Sequence, residues 1–122
     1  MAAFIKNLTF DCDDALVVAR FWAAAVGSNV DEDSTSERAY VEATNWGGPN
    51  IWFRGHRGQK TGVNRLHIDL RAMSTMTAEV DRLVGLGASV VERFVDIVLM
   101  QDPEGNEFCV EPGPGDDTGP GG

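Results

Sequence analysis

The two halves of this chain repeat each other at nearly constant spacing, and that duplication restricts the available folds more than any other feature. Asn7 and His67 stand 60 positions apart, as do Gly27 and Gly87, while Asn50 and Asn106 stand 56 apart. Each half reads as a strand, a helix and three further strands. Asp102-Pro103-Glu104-Gly105-Asn106 is a tight turn that launches the alternating strand Glu107-Phe108-Cys109-Val110-Glu111, and Gly48-Pro49-Asn50-Ile51-Trp52-Phe53 echoes it in the first half.

Along the first half, residues 4–12 alternate, with Leu8, Phe10 and Cys12 inward and Asn7, Thr9 and Asp11 on a polar side. Asp13 or Asp14 can cap a helix over residues 15–26, whose apolar stripe is read as Leu16, Val17, Phe21 and Ala24 and whose stop is Gly27. Residues 30–33 and 38–43 are strand candidates around a polar turn, and residues 51–54 form a short strand with Trp52 inward. A polar, glycine-rich connection, residues 55–62, leads to the second half.

There, residues 64–72 alternate with Leu66, Ile68 and Leu70 inward. Ser74 or Thr75 caps a helix with the stripe Met76, Val80, Leu83 and Val84, and Gly87 ends it; strands at 89–94, 97–101 and 107–112 follow. A strand-helix-strands unit covers only one face of its sheet. The expected fold class is therefore α+β: two βαβββ repeats pairing to form a curved sheet around a cavity, with the helices outside. Residues 1–112 make one domain, with repeat one over about 4–55, the connection over 55–63 and repeat two over about 64–112, while the glycine- and proline-rich residues 113–122 read as a disordered tail.

Composition narrows the partners. A formal charge of −9 with no Lys/Arg cluster argues against nucleic acid and against an anionic membrane. No apolar run reaches the roughly 20 residues of a membrane span, the N-terminus does not read as a signal peptide, and Cys12 and Cys109 make no disulfide framework. A cytoplasmic protein with a neutral or cationic small-molecule partner is the expectation.

Four stretches taken together carry a family resemblance: Ala19-Arg20-Phe21-Trp22 followed by Gly27; Asn64-Arg65-Leu66-His67-Ile68-Asp69-Leu70; Leu83-Val84-Gly85-Leu86-Gly87-Ala88; and Asp102-Pro103-Glu104-Gly105-Asn106. Over residues 4–112 the chain resembles the vicinal oxygen chelate superfamily, the glyoxalase and bleomycin-resistance fold. The resemblance implies a homodimer and four metal-ligand positions on the open faces, carried by motif onto Asn7, Phe53, His67 and Cys109. Phe53 cannot ligate a metal and Asn7 does so poorly, so His67 and Cys109 are the only good donors. No cofactor is expected on this reading; a divalent metal on His67 and Cys109 belongs to the alternative one.

On the residues themselves, His67 is a candidate general base or lone ligand, against the plainer role of a hydrogen-bonding histidine. Cys109 reads more readily as a pocket-lining thiol than as a nucleophile. Asp11, Asp69, Glu107 and Glu111 share the open-face parity, with Arg71 as main counter-charge, which describes an acidic face that would attract an amine; alternatively Asp69 and Arg71 pair with each other or face solvent. Trp46 could roof a ligand or serve a dimer contact, whereas His56 reads as a solvated loop residue. The expected ligand-binding set is Asn7, Asp11, Trp46, Phe53, His67, Asp69, Cys109 and Glu111, in a glyoxalase-like protein that binds a small organic molecule without a complete metal site. The alternative is a metal-assisted lyase, isomerase or dioxygenase using His67 and Cys109.

Overall fold

The computed structural model describes residues 5–45, 48–55 and 67–116. The chain divides into two compact units, Met1–Thr61 and Gly62–Gly122, each α+β and each close to the expected βαβββ order. The connection beyond Gly55, including His56, lies outside the described residues, as does Trp46.

Unit 1 contains β1 (Asn7–Cys12), α1 (Ala15–Val26), β2 (Arg38–Val41) and β3 (Asn50–Gly55). The sheet order is β1-β3-β2, with β1 parallel and β2 antiparallel to β3. The strand expected over residues 30–33 is reduced to one bridge between Val30 and Val41. The cause is local: the Asp31 carboxylate accepts from the Asp33 N–H at 3.1 Å, and the Asp31 carbonyl accepts from the Ser34 N–H at 3.0 Å, so the chain turns where it would otherwise extend.

Asp14 is the N-cap of α1, its Oδ1 accepting from the amides of Leu16 and Val17 at 3.0 and 3.2 Å, and Gly27 closes the helix at φ 73°. The buried face differs from the expected stripe. Ala15, Val18, Ala19 and Trp22 point inward together with Phe21 and Ala23, while Val17 is 45% exposed. Apolar periodicity could not set the phase because Arg20 is the only polar residue in the helix. The small side chains of Ala15 and Ala19 let the helix approach the sheet, and Trp22 fills the space beyond them. Phe10 stacks on both Trp22 and Phe53, with ring centroids 5.8 and 5.5 Å apart, and Phe21 meets Trp22 edge-on at 5.4 Å. Burying a large side chain of this kind contributes about 1.5–3 kcal/mol.

Unit 2 contains β4 (Ile68–Arg71), α2 (Met76–Gly85), β5 (Ser89–Arg93), β6 (Val98–Gln101) and β7 (Glu107–Glu111), in the sheet order β4-β7-β6-β5. Its first and last strands run parallel, as in unit 1. Thr75 caps α2 by accepting from the Ala78 N–H at 3.1 Å. Val80 and Leu83 are buried with Val98, Met100, Phe108 and Val110, whereas Val84, expected on the stripe, is 45% exposed.

The segment expected to be a disordered tail is in part packed onto unit 2. Asp116 Oδ2 accepts from the Met76 N–H at 2.7 Å and from the Gly113 N–H at 2.9 Å, and the Gly115 N–H donates to the Ser74 carbonyl at 2.7 Å. A carboxylate beyond the last strand thereby satisfies an amide at the N-terminus of α2. Residues 117–122 lie outside the described residues.

Candidate functional site

Both units leave one sheet face without a helix, and strand register decides which side chains stand there. In unit 1, β3 is the central strand. Thr9 and Tyr40 flank Trp52, Asp11 and Arg38 flank Arg54, and Asn7 lies opposite Asn50. These residues occupy the open face, while Ile51 and Phe53 are buried beneath α1.

The expected parity of β3 is therefore reversed. Trp52 stands on the open face, and Phe53, expected at a ligand position there, is 0% exposed in the helix-side core. Aligning Asn50 with Asn106 is what misplaces the strand. The structural equivalents are the turn glycines Gly48 and Gly105, both in the left-handed region at φ 72° and 85°, which shifts the match by one residue. A shift of one residue along a strand moves every side chain to the other face. Trp52, not Phe53, is thus the counterpart of Cys109.

The same reversal brings Arg54 to the open face. Its Nε donates to Asp11 Oδ1 at 3.0 Å, and its Nη2 lies 2.9 Å from the same oxygen as an ion pair. The Asp11 carboxylate expected on an acidic face is thus paired with Arg54, a counter-charge from its own sheet. Arg38 lies over Trp52, its guanidinium carbon 4.8 Å from the ring centroid, and Tyr40 tilts against the same indole at 4.3 Å. Thr9, Asp11, Glu37, Arg38, Trp52 and Arg54 line a recess of about 860 Å³, within the size range of small-molecule pockets. Of these, only Asp11 belongs to the set expected to bind ligand; the turn glycines were the sequence signal that would have found Trp52 and Arg54.

In unit 2, Cys109 stands between Asp69 on β4 and Leu99 on β6. Partial burial, then the neighbouring carboxylates of Asp69 and Glu111, push its thiol above the ordinary range. Arg71 lies opposite Glu111 at 4.0 Å, with the arginine side chain exposed and Glu111 only half-buried, so this pair contributes little stability. His67 is exposed just ahead of β4. Asp69, Cys109 and Glu111 are thus brought to one face of this sheet, as Asn7 and Asp11 are in unit 1.

The donor chemistry at the metal-ligand positions, taken unit by unit, does not make a complete ligand set, because His67 is the one good donor beside Cys109. Asn7 Oδ1 already accepts from Asn50 Nδ2 at 3.1 Å. Indole is not a ligand at the Trp52 position, and Phe53 offers no donor atom. Among the described residues, no group of three or more His, Cys, Asp or Glu is placed to hold a metal ion. No helix among the described residues is long and apolar enough to cross a membrane.

Solved structures with the same fold include a glyoxalase/bleomycin resistance protein/dioxygenase family enzyme from Burkholderia phytofirmans, 14% identical, covering 88% of this chain and 97% of that one with a TM-score of 0.71. A fosfomycin resistance protein from Listeria monocytogenes, solved with Mn(II) and a dihydroxypropylphosphonic acid, is 15% identical, covering 93% of this chain and 92% of its own, with a TM-score of 0.69. A lactoylglutathione lyase from Agrobacterium tumefaciens is 16% identical, with coverage of 90% and 93% and a TM-score of 0.59. At these identities the likeness establishes the fold. No curated protein matches the chain. The family model for the glyoxalase-like domain matches residues 7–111, which span both units from β1 to β7, and the chain therefore belongs to the glyoxalase-like domain family.

Proposed function

We propose that this protein binds a small planar organic molecule on the open face of unit 1, without a complete metal site. The observation that carries this reading is the Tyr40–Trp52 pair, two aromatic rings 4.3 Å apart, of which Trp52 lines a recess of about 860 Å³. The rings stand on the side of the sheet opposite α1, where they contribute nothing to the helix-side core. Two large aromatic side chains on a polar sheet face offer a planar ligand stacking and desolvation. The Listeria protein, whose structure holds Mn(II) and a small organic acid, supports small-molecule binding by this fold. The donor set here departs from a metal-dependent version of it.

The test is a thermal-shift screen of planar organic molecules beside zinc, nickel and manganese, together with elemental analysis of the purified protein. A ligand that binds only the folded state raises its midpoint, by about 2.7 kcal/mol of stabilisation at a hundredfold excess over Kd. Stabilisation by a planar molecule, lost in Trp52→Ala, supports the proposal. Stoichiometric metal in the protein, stabilisation by metal alone and loss of both in Cys109→Ala would replace it with the metal-assisted reading.

A further inference from the structure

On the open face of unit 1 two arginines stand directly opposite each other on neighbouring strands, Arg38 on β2 and Arg54 on β3. Like charges so placed destabilise a sheet unless something lies between or beside them. One carboxylate is supplied on the far flank: Asp11 on β1, opposite Arg54 and bound to its Nε and Nη2 through a single oxygen. That contact leaves Nη1 of Arg54 uncommitted to Asp11. The Arg38 guanidinium has no carboxylate within ion-pair distance among the described residues, and it is held over the Trp52 ring at 4.8 Å. Glu37 also lines the recess and pairs with neither arginine.

Resting on the proposed function, we infer that the ligand of this recess is a planar carboxylate, typified by an aromatic acid. Its carboxylate bridges Arg38 and Arg54, and its ring lies against the Tyr40–Trp52 pair. The guanidinium fork matches a carboxylate in two parallel hydrogen bonds, and stacking on an indole fixes the plane of the fork before the ligand arrives. A monoanion is preferred over a dianion such as a phosphate monoester, because Asp11 and Glu37 place two negative charges in the same recess. The arginine pair thereby gains a second carboxylate within ion-pair distance, which Glu37, though it lines the recess, does not supply.

The probes are benzoate, its neutral isostere benzamide, and the dianion phenyl phosphate, titrated into the intact protein while the Trp52 indole N–H is followed by NMR. That signal is assigned by its disappearance in Trp52→Phe. Benzoate is expected to bind about tenfold or more tightly than benzamide, the factor that a charge-assisted hydrogen bond supplies over a neutral one, and more tightly than phenyl phosphate. Arg38→Gln is expected to bring benzoate down to the benzamide level while leaving benzamide binding in place, and Arg38→Lys to restore part of the preference. Equal binding of benzoate and benzamide overturns the carboxylate inference and leaves small-molecule binding intact. So does a benzoate preference that survives Arg38→Gln, or tighter binding of phenyl phosphate. If no ring compound shifts the Trp52 signal, the inference and the proposed function on which it rests both fall.

Discussion

Asp102 holds Asn106 through both carboxylate oxygens: the Asn106 side-chain amide donates to Oδ1 at 3.1 Å and to Oδ2 at 2.9 Å, and the Asn106 backbone N–H donates to Oδ1 at 3.0 Å. Both residues are buried, at 3% and 5% exposure. The Glu104 N–H donates to the same Oδ1, and a pair of backbone bonds closes the loop. One carboxylate therefore organises the whole reversal that sets the register of β7, and with it the direction in which Cys109 points.

From this it follows that Asp102→Ala strands several buried donors at once. A loss of about 2–4 kcal/mol is expected in urea unfolding, since each unsatisfied buried group costs roughly 1–3 kcal/mol. Asn106→Ala is expected to cost a similar amount. The double variant should cost clearly less than the sum, because the two residues share one network. Full additivity would show that the turn does not depend on their mutual contact.

Phe53 and Trp52, adjacent in sequence, should respond in opposite ways. Phe53→Ala empties a space packed against Phe10 beneath α1 and should destabilise by about 3–5 kcal/mol. Trp52→Ala, on the open face, is expected to cost under about 1.5 kcal/mol while removing ligand-induced stabilisation. Chemical denaturation with and without a planar ligand measures both effects. A larger stability loss at Trp52 than at Phe53 would contradict the register of β3.

How much of this was legible in the sequence turns on such one-residue questions. The α+β class, the order of elements, the caps, each narrowed to a pair of residues that contains Asp14 or Thr75, and the stops at Gly27 and Gly87 could be read because each is a local requirement with few chemical solutions. The inward face of α1 could not, since Arg20 alone marks its solvent side. The strand over residues 30–33 failed for a local reason of its own, the competing turn at Asp31. The face of β3 was hidden because Ile51, Trp52 and Phe53 are consecutive apolar residues, and alternation has nothing to show in such a run. Anchoring the repeat on Asn50 instead of Gly48 then carried Arg54 out of view together with Trp52. Trp52 and Arg54, which line the recess, were lost to the site in this way, Tyr40 beside Trp52 was never considered for it, and Arg38 is recognised only through its cross-strand partner.

The Asp11–Arg54 pair offers a separate test of the open face. Both side chains are at least half exposed, so Asp11→Asn should change stability by less than about 1 kcal/mol. Its larger effect is expected on binding. Releasing Arg54 from its carboxylate should strengthen benzoate binding and leave benzamide unchanged, and the gain should shrink as salt is raised from 0.05 to about 0.5 M. Weaker benzoate binding in this variant would mean that Asp11 orients Arg54 for the ligand instead of competing with it.

The Cys109 thiol gives a pH dependence whose sign is fixed by its surroundings. Burial, Asp69 and Glu111 all disfavour the thiolate, raising the folded-state value above the ordinary 9.0. Below that pH the thiol is protonated in both folded and unfolded chains, and it adds no slope to stability. As the pH climbs past 9.0 the unfolded chain releases the proton first, so the unfolded state binds fewer protons and folding stability falls until the folded thiol also ionises. The contribution is thus present at neutral pH and lost in alkali. The difference in unfolding free energy between wild type and Cys109→Ser, in which the other alkaline groups cancel, should be flat from pH 6 to about 8 and should decline for the wild type above about pH 9. Alkylation by iodoacetamide at pH 8 should likewise be slower at Cys109 than at an unhindered thiol, because less thiolate is present. Fast alkylation at neutral pH, or a stability difference that rises with pH, would place a cation beside the sulfur and return Cys109 to consideration as a metal ligand or nucleophile.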